Sequence, residues 1–288
     1  MSPFVRPPGC SAPHFAVPAG TIDTHMHIIS AGYEQNPVLH PHALASVENY
    51  AEIQKQLGIK RAVVVQPNIF QFDNSCLEHA LGVLGKNARG VAVVTPEVED
   101  GELERLHNLG VRGARIMDIG PGAVGSSDLR AVSERIAPRG WHPIIQFNGC
   151  EIDDYTSLLS EMKGPFVIDH AGKFMPPVGP ESTEFSSLLK LIDRGNCYVK
   201  LSACYETSKI GPPGYQDVGA LSKALAAHAP ERMLWASNWP HVSANAQTYP
   251  DDGVLLDLLL EWVATEDDRK KILEENAAEL YDFEPLAG

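Results

Sequence analysis

Thr21-Ile22-Asp23-Thr24-His25-Met26-His27 reads as a short strand that ends in two histidines one residue apart. A strand turns successive side chains to opposite faces, so Asp23, His25 and His27 are predicted to share one face. Two imidazoles ending an apolar strand each need a polar partner, and that points to a site rather than to core packing. The rest of the chain decides which sheet holds them. Seven more apolar runs recur at residues 62–66, 90–95, 113–118, 143–147, 166–170, 197–202 and 233–237. Amphipathic helical patterns lie between them at 47–57, 75–84, 101–108, 127–136, 152–161, 184–193 and 218–227. Strands alternating with helices mark βαβ units and a parallel sheet. Eight such strands close a barrel, so the expectation is an α/β fold, a TIM-type (β/α)8 barrel in a single domain. Its predicted bounds are 21–288, after a Pro-rich N-terminal segment at 1–20 that carries Pro3, Pro7, Pro8, Pro13 and Pro18. The competing architecture, an open doubly wound sheet, would need a glycine fingerprint after a strand. Gly120, Gly122 and Gly125 have the wrong spacing for it and are predicted to form a flexible loop above the fourth strand.

At 288 residues and 44% hydrophobic, the chain can fill one such barrel. A formal charge of −14 excludes a phosphate-binding surface, so no nucleic-acid partner is expected. An acidic small molecule would need a few cations converging locally. The five cysteines are odd in number, scattered and without a CxxC pair, the pattern of reduced thiols. Residues 1–20 lack the apolar core of a signal peptide, and apolar runs such as 254–260 are far too short to span a bilayer. A cytoplasmic location without membrane attachment is expected; the oligomeric state stays open.

In a barrel of this kind the C-terminal strand ends carry the site, so His25 and His27 are predicted to enter its mouth together. Asp169-His170 ends the sixth strand and brings a third imidazole, with Ala171-Gly172-Lys173 behind it. The eighth ends in Trp235-Ala236-Ser237-Asn238-Trp239-Pro240-His241, which places Asn238 at the strand end and His241 just beyond.

These three patterns, HxH, DHxG and WxSNWPH, together resemble the amidohydrolase superfamily, in the branch of the 2-pyrone-4,6-dicarboxylate lactonases. Within that branch, residues 113–118, 189–196, 226–232, 238–241 and 249–252 are similar to the D-galactarolactone isomerases. Several of these stretches have no catalytic duty. The resemblance implies an enzyme acting on a lactone, and it makes certain departures meaningful. Metal-dependent members carry a Lys or carboxylate on the fourth strand, a His on the fifth and an Asp on the eighth. Here those strands offer Arg115, Gln146 and Asn238. Arginine has no lone pair for a cation, and amide oxygens are weak zinc ligands. The expectation is no cofactor; a divalent metal such as zinc, if bound, would take His25, His27 and His170.

Asn238 also replaces the base that would activate water, which favours attack by a hydroxyl of the substrate itself. The expected reaction interconverts the 1,5- and 1,4-lactones of an aldaric acid. His25, His27, His170 and Asn238 are the predicted catalytic residues. Arg115, Lys173, Gln146, Lys200, Gln66 and His241 are the predicted substrate contacts, with Arg115 first in line for a carboxylate. Three alternatives stand beside this one: hydrolysis of a carboxylated lactone, a metal-dependent hydrolase, and a barrel that binds without turnover.

Overall fold

A computed structural model describes residues 9–39, 42–120, 122–245 and 247–284. Eight parallel strands run β1 (Ile22–Met26), β2 (Arg61–Val65), β3 (Ala88–Ala92), β4 (Val111–Met117), β5 (His142–Gln146), β6 (Phe166–Ile168), β7 (Cys197–Leu201) and β8 (Met233–Trp235). Neighbours in sequence are neighbours in the sheet. The ring closes where the chain after β8 meets β1: Asn238 N donates to His25 O at 2.9 Å and His27 N to Trp239 O at 2.8 Å. The fold is a single-domain TIM-type (β/α)8 barrel.

The helices between strands are α1 (Val47–Leu57), α2 (Ser75–Leu84), α3 (Asp100–Asn108), α4 (Leu129–Ile136), α5 (Ile152–Ser160), α6 (Thr183–Ile192) and α7 (Gln216–His228). Ser46 caps α1 with a capping box and Gly58 ends it in the left-handed region, which is why its bounds match the sequence pattern. Helix α8 (Asp252–Trp262) falls outside the helical patterns read from the sequence. Its run of leucines conceals the 3.6-residue period, and Asp251 starts it by accepting from Gly253 N at 2.9 Å and Val254 N at 3.1 Å. Among the described residues no helix is long and apolar enough to cross a membrane.

Two apolar layers result. One lies between strands and helices. The other fills the barrel with Ile22, Val63, Val65, Val91, Ile144, Val167 and Leu234, and is plugged by Tyr281 and Phe283 from the C-terminal segment. Arg89 stacks 4.6 Å over Phe283 and donates to Tyr281 O at 3.2 Å, holding the plug at the N-terminal strand ends. The open end of the barrel is therefore the other one, at the C-terminal strand ends.

One expectation fails inside β1. Asp23 pairs with Ala62 but Met26 with Val64, so three steps on β1 match two on β2. This bulge switches the parity of the strand. Ile22 and the two histidines point into the barrel, whereas Asp23 points outward and accepts from Tyr50 Oη of α1 at 2.8 Å and Ser237 N at 3.0 Å. Burial pushes the Asp23 carboxyl up to about 6. The loop after β4 differs too. It is tied to the strand end, with Met117 N donating to Val124 O at 2.8 Å and Ser126 N to the Asp118 carboxylate at 2.8 Å. Gly122 packs so closely that a Cβ there would collide with Met117 O. Pro121 in this loop, residues 1–8 of the Pro-rich segment and 285–288 of the predicted barrel domain lie outside the described residues.

Candidate active site

The strands that build the site end abruptly. Left-handed φ values occur at His170 (55°), Ala171 (52°) and Lys173 (51°) after β6, at Ala203 (54°) after β7, and at Asn238 (61°) and His241 (56°) after β8. Each costs a residue with a Cβ about 1–2 kcal/mol, and such costs gather where a side chain must be aimed. They also explain why β6 and β8 stop short of the predicted bounds: the chain leaves the ladder to turn His170 and Asn238 over the mouth.

Beneath the mouth lies a fully buried polar cluster. His27 Nδ1 sits 2.7 Å from the Val65 carbonyl; because a carbonyl only accepts, His27 carries its proton on Nδ1. Its Nε2 is then an acceptor, and it faces His25 Nε2 at 3.3 Å. On the far side of the ring, His25 Nδ1 lies 3.1 Å from Lys200 Nζ and 3.2 Å from Asp169 Oδ1, and those two charged groups are 3.0 Å apart. Burial alone would raise the Asp169 carboxyl, but Lys200 and His25 outweigh it and hold it well below the usual range. Burial depresses all three imidazoles: His25 and His27 fall well below 6.5, and His170 to about 4. They are neutral bases at pH 7.

Above the cluster is a cleft of about 240 Å³, lined by His27, His170, Arg115, Gln146, Lys173, Glu206 and Asn238 with rim residues that include His42, Asn68 and Ser243. His170 Nδ1 meets Ser202 Oγ at 2.9 Å, which leaves Nε2 as its second nitrogen. Arg115, from β4, donates to Gln66 O at 2.7 Å and to Gln146 Oε1 at 3.2 Å, while its buried Nε has no partner among the described residues. Across the cleft Lys173 forms an ion pair with Glu206. Glu206 also accepts from Ser243 Oγ at 2.8 Å and Asn238 Nδ2 at 3.3 Å.

Residues 22–283 match the Amidohydrolase family (Amidohydro_2). The chain belongs to that family. It is 39% identical over 290 residues to the D-galactarolactone isomerase of Agrobacterium fabrum, covering 99% of both chains. It is 31% identical over 306 residues to the 2-pyrone-4,6-dicarboxylate hydrolase of Comamonas testosteroni, covering 98% of both. An apo crystal structure from Agrobacterium tumefaciens superposes with a TM-score of 0.90 at 39% identity, covering 96% of this chain and all of that one.

In this amidohydrolase His27, His170, Asn238, Arg115, Lys173 and Gln146 converge on one cleft, as their strand ends suggested. His25 lies directly behind them, fully buried. Three predicted substrate contacts do not reach the cleft wall. Lys200 is under the floor, bound to Asp169 and His25. The Gln66 side chain donates to Asp73 O at 2.6 Å, and only its backbone carbonyl serves the site, through Arg115. His241 is held between Tyr205 Oη at 2.9 Å and Asp252 at 3.1 Å. Sequence reasoning missed two carboxylates of the site. Asp169 precedes a conspicuous histidine, and that adjacency is the one available signal. Glu206 lies in a loop after β7, where nothing in the spacing singles it out.

Among the described residues, one group has the donors and proximity to hold a metal: His25, Asp169 and His170, whose ligand atoms lie within 4.8 Å of one another. The expected set had His27 in place of Asp169.

Proposed function

We propose that this amidohydrolase interconverts the 1,5- and 1,4-lactones of an aldaric acid of the galactaric type by intramolecular acyl transfer, without a metal. The likeness to a D-galactarolactone isomerase along the whole chain supports the substrate class. The observation that carries the reaction type is Asn238: an amide, at the end of β8, where a water-activating carboxylate would be needed. The carboxylate that does line the cleft is Glu206. Although burial raises it, His170 and Lys173 hold it at about 2, and both its oxygens are engaged. It is a poor base.

Arg115 takes the free carboxylate of the substrate through the guanidinium hydrogens not given to Gln66 and Gln146. The 4-hydroxyl attacks the C1 carbonyl, and its proton passes to Nε2 of His170. The tetrahedral intermediate collapses by breaking the bond between C1 and O5, and the His170 imidazolium returns the proton to O5. No water is consumed. Gln146 has committed Oε1 to Arg115, so its amide hydrogens are the donors for the oxyanion. Asn238 has committed both amide hydrogens to Tyr205 and Glu206, so its Oδ1 accepts from a substrate hydroxyl.

A resident dication does not suit the donor set. Asp169 is already neutralised by Lys200 at 3.0 Å, and a metal on His25, Asp169 and His170 would sit beside that ammonium. No step is assigned to one. A reducing, cytoplasmic setting belongs to the same reading, since all five cysteines are free.

Incubation of a galactaro-1,5-lactone in H₂¹⁸O, followed by NMR and mass spectrometry, tests the proposal. The expected product is unlabelled 1,4-lactone. Open-chain diacid carrying ¹⁸O as the first product would replace isomerisation by hydrolysis.

A further inference from the structure

Two side chains of fixed positive charge line the cleft, Arg115 and Lys173. Their surroundings differ. Arg115 donates only to neutral groups, a backbone carbonyl and a side-chain amide. Lys173 is closed against Glu206, and that carboxylate is itself fixed by Ser243 and Asn238. The cation beneath the floor, Lys200, is used by Asp169. Among the described residues the cleft thus offers one cation without a paired carboxylate, and across from it a carboxylate with a lone pair left to accept from a hydroxyl.

We propose that Glu206 is a specificity-determining residue: by neutralising Lys173 it limits the cleft to ligands with one carboxylate and several hydroxyls, and rejects flat dicarboxylates. This rests on the substrate class of the proposed function, a lactone with one free carboxylate, and deepens it. An aldaric acid monolactone has one free carboxylate, for Arg115, and a ring hydroxyl that can donate to Glu206. A second carboxylate at the far end of a ligand would face Glu206 instead of a free ammonium, and a like charge across a few ångströms costs affinity. Neutralising Glu206 without changing its shape would release Lys173 to receive that second carboxylate.

Isothermal titration of unreactive probes reads this directly. Quinate, a six-membered ring with one carboxylate and four hydroxyls, stands in for the lactone; benzene-1,3-dicarboxylate stands in for a flat dicarboxylate. The native enzyme is expected to bind quinate more tightly. Glu206→Gln is expected to tighten benzene-1,3-dicarboxylate roughly tenfold and to weaken quinate. The double variant Lys173→Met/Glu206→Gln restores the single-cation count and is expected to lose the dicarboxylate gain. Three results overturn the inference: a native enzyme that binds the dicarboxylate as tightly as quinate, a Glu206→Gln variant without the gain, or a double variant that keeps it. Because no turnover is read, these outcomes stand apart from the labelling experiment. The selectivity can hold if the enzyme proves to be a hydrolase, and can fail if it proves to be an isomerase.

Discussion

Nε2 of His25 and Nε2 of His27 face each other at 3.3 Å. His27 holds its proton on Nδ1 against Val65 O, so its Nε2 is an acceptor and a hydrogen bond between the rings draws its proton from His25 Nε2. His27 Nε2 is thereby already used as an acceptor. His170, with Ser202 on Nδ1 and the cleft beside it, is the imidazole left to take a proton from substrate.

The two histidines should accordingly separate on mutation. His170→Gln is expected to lower kcat by ~10²–10⁴ with KM little changed, the loss typical of a removed general base. His27→Gln should cost less, since Gln still accepts from His25. Lactone interconversion followed by NMR measures both, and an equal or larger loss at His27 would move the shuttle to that residue.

The same burial sets the pH profile. A base must be neutral to act, and a lowered pKa keeps it neutral further into acid. With His170 at about 4, kcat/KM should stay level from pH 8 to about 5 and fall only below that, with no inflection near 6.5. Lys200 is among the charges that depress His170 and His25. Lys200→Met should therefore move the acid limb to higher pH. A limb that stays in place would show that Lys200 does not reach the site electrostatically.

Metal removal is expected to leave the rate unchanged. Protein purified without added metal should contain far less than one zinc or manganese per chain by elemental analysis, and dialysis against a chelator should leave kcat within about twofold. Stoichiometric metal lost together with activity would assign His25, Asp169 and His170 as ligands after all.

The barrel was legible because periodicity repeats: eight apolar runs and seven helical patterns are a redundant signal, and a shift of one or two residues at β6 or β8 changes nothing in the topology. The site was legible only where a residue sat at a strand end. His27, His170, Arg115, Gln146 and Asn238 were found that way. Asp23 was misplaced because a single-residue bulge leaves no trace in composition, yet reverses the face of everything before it. Lys200 shows a similar limit. Its place at a strand end made it a candidate substrate contact, but in the fold Asp169 and His25 hold it below the cleft. Glu206 had no positional cue, since loops carry no period.

His142, at the start of β5, offers a test of the barrel interior away from the cleft. It is fully buried against the Tyr281 ring at 4.7 Å, and neither ring nitrogen has a hydrogen-bond partner among the described residues. Burial, assisted by the charge of Lys200, pushes it down to about 3. A histidine depressed in the folded state takes up protons first in the unfolded state. Stability is therefore complete above about 6.5 and is lost as pH falls from there toward about 3. At pH 4.5 the loss from this one group is about 2–3 kcal/mol, from 1.36 kcal/mol per pKa unit across the part of the window already crossed. His142→Leu removes the titration while keeping an apolar side chain of similar size. Urea denaturation at pH 7 and pH 4.5 should show the stability gap between the two pH values narrowing by about that amount in the variant, whatever the variant's stability at pH 7. An unchanged gap would mean that His142 is protonated as easily in the fold as out of it, and that water reaches the unpartnered nitrogens.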